Sequence, residues 1–101
     1  MNQKAMMKQI QQMQAAMATA QEELAVLEVT GQAGNGLVTA TCTASGDWRG
    51  ITIDPKLLDP DDPDMVQDLV LAALNDAKNQ AEAAQQSRLG PLTQGINLPG
   101  F

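Results

Sequence analysis

The chain predicts an α+β fold: a long N-terminal helix, a three-stranded antiparallel sheet and a long C-terminal helix, in the order α-β-β-β-α. Three observations carry this. From Met6 to Leu27, apolar residues recur at alternating spacings of four and three, the period of a helical seam. Across residues 28–54 the pattern switches to alternation by two, broken by Gly- and Asn-rich turn signals. From Val66 the helical period returns. At 101 residues there is room for one domain. It divides into a helical arm (1–27), a sheet (28–54), an acidic connector (55–64), a second helix (63–89) and a tail (90–101) expected to be flexible.

The first helix is written in its seam. Met6, Ile10, Met13, Met17, Ala20, Leu24 and Leu27 follow a heptad. No Gly or Pro interrupts Lys4 to Leu27, and Ala and Gln favour helix. Ile10, Met13, Met17 and Leu24 are expected in core or dimer packing. Methionine also suits adaptable partner surfaces, so both uses of the stripe stay open.

EVTGQAGNGLV follows. Gly31, Gly34 and Gly36 are expected to end the helix and punctuate a hairpin, with Asn35-Gly36 as the tight-turn dipeptide. A strand over 28–32 then pairs with one over 37–44. Along the second strand Val38, Ala40, Cys42 and Ala44 point one way, and Leu37, Thr39, Thr41 and Thr43 the other. One apolar and one Thr-rich face suit an antiparallel sheet covered on one side. Ser45-Gly46-Asp47 turns the chain into a third strand, 48–54, with Ile51 and Ile53 on its apolar face. Asp54-Pro55 stops it. Trp48 either caps the sheet edge or is an exposed partner contact.

Asp62 is placed as N-cap of the second helix and Pro63 at its first position. Asp64 and Asp68 complement the positive end of its dipole. Val66, Leu69, Val70, Ala73, Leu74 and Ala77 form an apolar stripe, with Leu69 and Val70 in the core. Gly90-Pro91 is expected to end this helix.

Composition narrows the functions. Apolar residues make up 44% but aromatics only 2%, so the core is built from Ala, Val, Leu, Ile and Met. One cysteine permits no internal disulfide and fits a reducing cytosol. The N-terminus has no continuous apolar run, and no stretch approaches the roughly 20 apolar residues of a membrane span. A soluble, cytoplasmic protein with no membrane partner is expected.

Catalytic constellations are missing too. The chain has no His and no Tyr. Cys42 sits in mid-strand with no base to activate it, so a buried structural thiol is expected. The acidic turn with Asp59, Asp61, Asp62 and Asp64 is broken by prolines, and it lacks the glycine and bidentate Glu of a calcium loop. GQAGNG opens a strand and lacks the Lys-Ser/Thr pair of a phosphate loop. The expectation is no enzyme, no metal, no cofactor and no small-molecule substrate.

The formal charge is -6, with a pI near 4.2. Taken alone, that opposes non-specific nucleic-acid binding, which needs Lys and Arg. The charges are unevenly spread. Residues 1–21 carry Lys4 and Lys8 and no acid. Residues 22–77 hold eleven acids against Arg49 and Lys56. Residues 78–101 carry Lys78 and Arg88 against Glu82. The chain leaves the first helix to enter the sheet, and leaves the sheet to enter the second helix. This topology predicts that the basic segments are helix tips remote from the sheet. Lys4 and Lys8 lie at a helix start, where the dipole disfavours cations, so helix stability does not explain them.

LEVTGQAGNGLVTATCTASGDWRGITIDPKLLDPDD, then VQDLVLAALNDAKNQ, then GINLPGF, together with KQIQQMQ in the first helix, resemble the YbaB/EbfC family of bacterial nucleoid-associated proteins. The most specific pieces are EVTGQAGNGLV, the ITIDP strand end and LVLAALNDA, and their order and spacing strengthen the signal. The resemblance implies a tweezer-like homodimer, joined through the sheets and helix bases, with the helices as arms. It implies binding of double-stranded DNA with little sequence preference, on the arms, and a nucleoid-associated role in chromosome organisation or gene regulation. The arm positions that would meet phosphate are Lys4, Lys8, Lys78 and Arg88. Family members often have a basic residue where this chain has Thr39, and more Lys or Arg where it reads QAEAAQQ. Those departures imply a weaker grip.

Overall fold

The computed structural model describes residues 2–93. Helix α1 runs Gln3–Val26, strands β1, β2 and β3 run Glu28–Ala33, Val38–Thr43 and Trp48–Ile53, a short 3-10 turn occupies Pro55–Leu57, and helix α2 runs Pro63–Thr93. The strands form one antiparallel sheet in the order β1-β2-β3. The described chain is elongated, 71 × 27 × 16 Å.

Asn2 caps α1, its Oδ1 accepting from the Lys4 N–H at 3.0 Å, the usual satisfaction of an orphan donor in the first turn. The helix does not wait for the glycines to stop. Leu27 turns extended, and its carbonyl accepts from the Ala44 N–H at 2.7 Å. Strand pairing therefore takes over the backbone right after Val26. Gly31 lies inside β1, not at a turn.

The hairpin itself turns over residues 34–37, where Gly34, Asn35 and Gly36 all have positive φ. The tight turn expected at Asn35-Gly36 is thus a longer connection through three left-handed residues. Leu37 belongs to this connection and packs against the core, instead of joining the Thr-rich face.

Register fixes the faces. Val29 pairs Cys42, Gly31 pairs Ala40 and Ala33 pairs Val38; across the next ladder Ala40 pairs Ile51 and Val38 pairs Ile53. All of these share the face that α2 packs against. The opposite face carries Thr30 and Thr41, whose hydroxyls hydrogen-bond at 3.2 Å. Thr43 departs from that polar face and is buried. The β2–β3 register shifts at Thr41/Cys42, and the Thr43 hydroxyl is then satisfied by Ser45 Oγ at 2.8 Å and by the Asp47 N–H at 3.1 Å.

The core is made of small side chains. Val38, Ala40, Cys42, Leu57, Ala73, Ala77 and Ala81 form it, with Leu69, Val70, Ile53 and Val66 packed around. Helix α2 lies across β1 and β2 and leaves β3 largely uncovered. Ile51 is consequently 46% exposed even though it shares a face with fully buried Ala40.

The Asp62 side chain accepts from the Met65 N–H at 3.3 Å, capping α2 as its start signal predicts. The other end differs from expectation. Helix α2 continues through Gly90 and Pro91 to Thr93. Proline hinders a helical predecessor partly through that residue's Cβ, and Gly90 has none. Within the tail expected at 90–101, residues 90–93 are therefore helical, and 94–101 lie outside the described residues.

Candidate nucleic-acid interface

Helix α1 is anchored only through its C-terminal half. Ala20 and Leu24 are buried, Met13, Ala16 and Met17 are half-buried, and every residue from Asn2 to Gln12 is exposed. Over these eleven residues the helix projects as an arm about 16 Å long at 1.5 Å per residue. Ile10, at 49% exposure, is not core within one chain. Along this arm Lys4 and Lys8 are the charged side chains, one turn apart, with Gln9, Gln11, Gln12 and Gln14 around them. They share one side of the helix because side chains four apart are neighbours.

The other two candidate cations are placed differently. Lys78 follows buried Ala77 on α2 and lines a cleft with Cys42, Gly46, Trp48, Glu82 and Gln85. It stands beside the sheet, so its expected position at a remote tip is corrected. The reason is that α2 runs back along β1 and β2 through Ala73, Ala77 and Ala81 before it leaves the sheet. Arg88 lies further along α2, where the helix passes α1. Ala15, Ala16, Thr19, Ala20, Glu23, Arg88 and Leu92 line a shallow groove there, and the Arg88 guanidinium donates to the Glu23 carboxylate. The four cations form no single cluster: two ride the arm, one pairs with an acid between the helices, and one sits by the sheet.

Two contacts that the sequence did not disclose fix this arrangement. The Gln85 side-chain amide donates to the Ala44 carbonyl at 2.6 Å, holding α2 to the end of β2. The Asp76 carboxylate accepts from the Gln32 N–H at 2.9 Å, covering part of the free edge of β1. Gln85 lies in the QAEAAQQ run, where no periodic or motif signal separates it from neighbouring glutamines.

The described residues are poor in reactive chemistry. Cys42 is buried and its Sγ faces the Ala77 carbonyl at 4.0 Å. Burial pushes its pKa up, which keeps the thiol protonated and unreactive. Among the described residues no group of His, Cys, Asp and Glu is arranged to hold a metal ion, and no helix is long and apolar enough to cross a membrane.

Several large apolar side chains are open to solvent. Trp48, Ile51, Leu58, Met65 and Leu71 are all exposed by a third or more. They lie on the uncovered strand β3, on the connector and on the first turns of α2. Trp48 is 52% exposed.

An arm-bearing α+β protein, acidic at its sheet and basic along its free helix, is the class that these features define. The fold is found in the crystal structure of an uncharacterized protein, HP0035 from Helicobacter pylori. It superposes with a TM-score of 0.77 at 21% identity, over 91% of this chain and 97% of that one.

The chain belongs to the YbaB/EbfC DNA-binding family, which matches residues 1–96. Its relatives include a nucleoid-associated protein of Streptomyces avermitilis, 51% identical over 99% of this chain and 91% of the relative. One from Streptomyces griseus is 53% identical over 99% and 91%. A third, from Rhodococcus jostii, is 50% identical over 96% and 91%. Membership of a DNA-binding family agrees with the expectation of a non-enzymatic protein.

Proposed function

We propose that this protein binds duplex DNA through the phosphate backbone, with little sequence preference, and contributes to nucleoid organisation or gene regulation. The observation that carries the reading is the arm. Lys4 and Lys8 sit on the fully exposed stretch 2–12 of a helix that bears no acid from residue 2 to 21, while eleven acids lie between residues 22 and 77. A polyanion approaching this molecule meets least repulsion along the arm. The arm's glutamines supply hydrogen bonds to phosphate and sugar, contacts that hold a protein on DNA without reading sequence. Family membership and the names of the relatives support the same function.

The acting unit is a homodimer. Exposed Trp48, Ile51, Leu58, Met65 and Leu71 offer apolar surface of the kind that a protein interface covers. Pairing through it would double the number of arms and leave Lys4 and Lys8 free on each. Few cations per dimer make for modest, salt-sensitive binding. With about four phosphates neutralised, log K falls against log salt with a slope near -3.6.

A second reading has its own support. Met6, Met7 and Ile10 are 46%, 61% and 49% exposed, and a flexible apolar stripe of this kind also suits a helix-binding protein partner. A gel-shift series on duplex DNA across salt, run beside light scattering, separates the two. A salt-dependent shift by a dimer supports the DNA reading. No shift at low salt, with capture of a specific protein by the arm, supports the second.

A further inference from the structure

We propose that Glu23 is an internal competitor for Arg88, an intramolecular stand-in for a DNA phosphate that keeps the cation occupied until DNA displaces it. The inference rests on the DNA-binding reading above and goes beyond it, to a residue that sets how tightly the protein holds DNA.

The geometry is specific. Arg88 and Glu23 lie 65 positions apart in the chain, on different helices, and their side chains meet across the α1–α2 groove. This is the one ion pair among the described residues. Positions one turn from Arg88 along α2 are Ala84, Gln85, Pro91 and Leu92, none of them charged. Those one turn from Glu23 along the chain are Thr19, Ala20, Val26 and Leu27, again uncharged. Glu22, next to Glu23 in the chain, is the one further charge close by, so Arg88 is the opposite charge that Glu23 meets.

Two features make the pair displaceable. Both side chains are about half exposed, 51% for Arg88 and 46% for Glu23, and exposed ion pairs are weak because water and salt screen them. Glu23 also lies near the C-terminus of α1, which ends at Val26, where the helix dipole disfavours an anion. A guanidinium forms paired hydrogen bonds with a carboxylate and with a phosphate through the same fork, so one group can take the place of the other. DNA presents a dense row of phosphates to do so. Arg88 sits on the same side of the molecule as the supported half of α1, so its release extends the cationic track of Lys4 and Lys8 along the arm.

The test is a thermodynamic cycle read by anisotropy of a labelled random-sequence duplex across a salt series. The proteins are the full chain and its Glu23→Gln, Glu22→Gln, Arg88→Gln and Glu23→Gln/Arg88→Gln variants. Glu23→Gln is expected to tighten binding at least about threefold while leaving the slope of log K against log salt nearly unchanged, because Arg88 meets phosphate in both complexes. Glu22→Gln removes the same charge one position away and should tighten binding clearly less. In the Arg88→Gln background the Glu23 change should have no effect. Equal behaviour of Glu23→Gln and Glu22→Gln, or a Glu23 effect that survives loss of Arg88, overturns the proposal while leaving DNA binding in place. Failure of every protein to bind duplex at the lowest salt overturns the DNA reading and the proposal together. Circular dichroism on each variant checks that both helices persist.

Discussion

Gly31 of β1 lies directly against Ala77 of α2. A Cβ built at position 31 falls 2.1 Å from the Ala77 nitrogen and 2.4 Å from the Ala73 carbonyl oxygen. The strand and the helix thus touch backbone to backbone, and Ala73, Ala77 and Ala81 are small and buried because nothing larger fits between the layers. Glycine inside a strand often marks such a close approach.

Gly31→Ala should therefore destabilise the fold by about 3 kcal/mol or more, at the upper end of overpacking costs, because the atoms in the way are backbone and have no rotamer to retreat into. Urea unfolding followed by circular dichroism measures this. Gly50, where a Cβ meets nothing within 4 Å, is the control: Gly50→Ala should change stability by less than about 1 kcal/mol.

Gln85 should tolerate loss of its side chain better than reversal of its chemistry. Gln85→Ala removes the hydrogen bond to the Ala44 carbonyl and should cost about 1 kcal/mol. Gln85→Glu places a carboxylate against that carbonyl, acceptor on acceptor, and should cost more, about 2 kcal/mol. Paired thermal melts at neutral pH give the ranking.

Asp62→Ala should cost about 1 kcal/mol through loss of the α2 cap. Asp62→Asn should recover most of it, since the amide oxygen can accept from the same N–H.

Cys42 predicts an alkaline limit on stability. Burial raises its pKa in the folded state above the ordinary value of 9.0. The unfolded chain therefore loses this proton first as pH rises. The stabilisation is fully present below the unfolded pKa and is lost as pH climbs through the folded one. The melting temperature should fall above about pH 9, and Cys42→Ala should flatten that fall. At pH 7 the native thiol should react with an aromatic disulfide reagent far more slowly than the urea-unfolded chain does.

On the arm, Lys4→Gln with Lys8→Gln should weaken DNA binding for all sequences alike and reduce the salt slope by about 1.8 per arm that contacts DNA. Melting temperature should hardly move, because both positions are exposed. An unchanged slope would remove Lys4 and Lys8 from the interface.

The pattern of elements was readable because it depends on local periodicity. Alternation by two set the face of Val38, Ala40 and Cys42, and Asp62-Pro63 marked the start of α2. What depended on distant partners was not readable. Gly31 looked like turn punctuation because its reason, Ala77, lies in another element. Chain order says where α2 begins, not that it doubles back over the sheet, so it assigns Lys78 to a remote tip. No local pattern discloses Glu23 across the groove from Arg88, so sequence alone groups Arg88 with the arm lysines. Helix α2 outran its expected stop because Gly90 lacks the Cβ that makes most residues before proline resist helix. The exposure of Ile51, Leu58, Met65 and Leu71 has one hint in the sequence, the two roles left open for Trp48.

The one-sided anchoring of α1 makes its exposed end a lever with its fulcrum near Met13, the first residue that the rest of the chain partly covers. From there to Lys4 the helix is about 14 Å long at 1.5 Å per residue. A tilt of about 14° at the fulcrum then sweeps the tip through about 3.4 Å, one base-pair step of duplex. On the proposed DNA-binding reading, small adjustments where α1 meets α2 would move the arm by whole steps along the duplex axis. The arm would then meet phosphates on duplexes of different local shape without any change in the sheet that carries it.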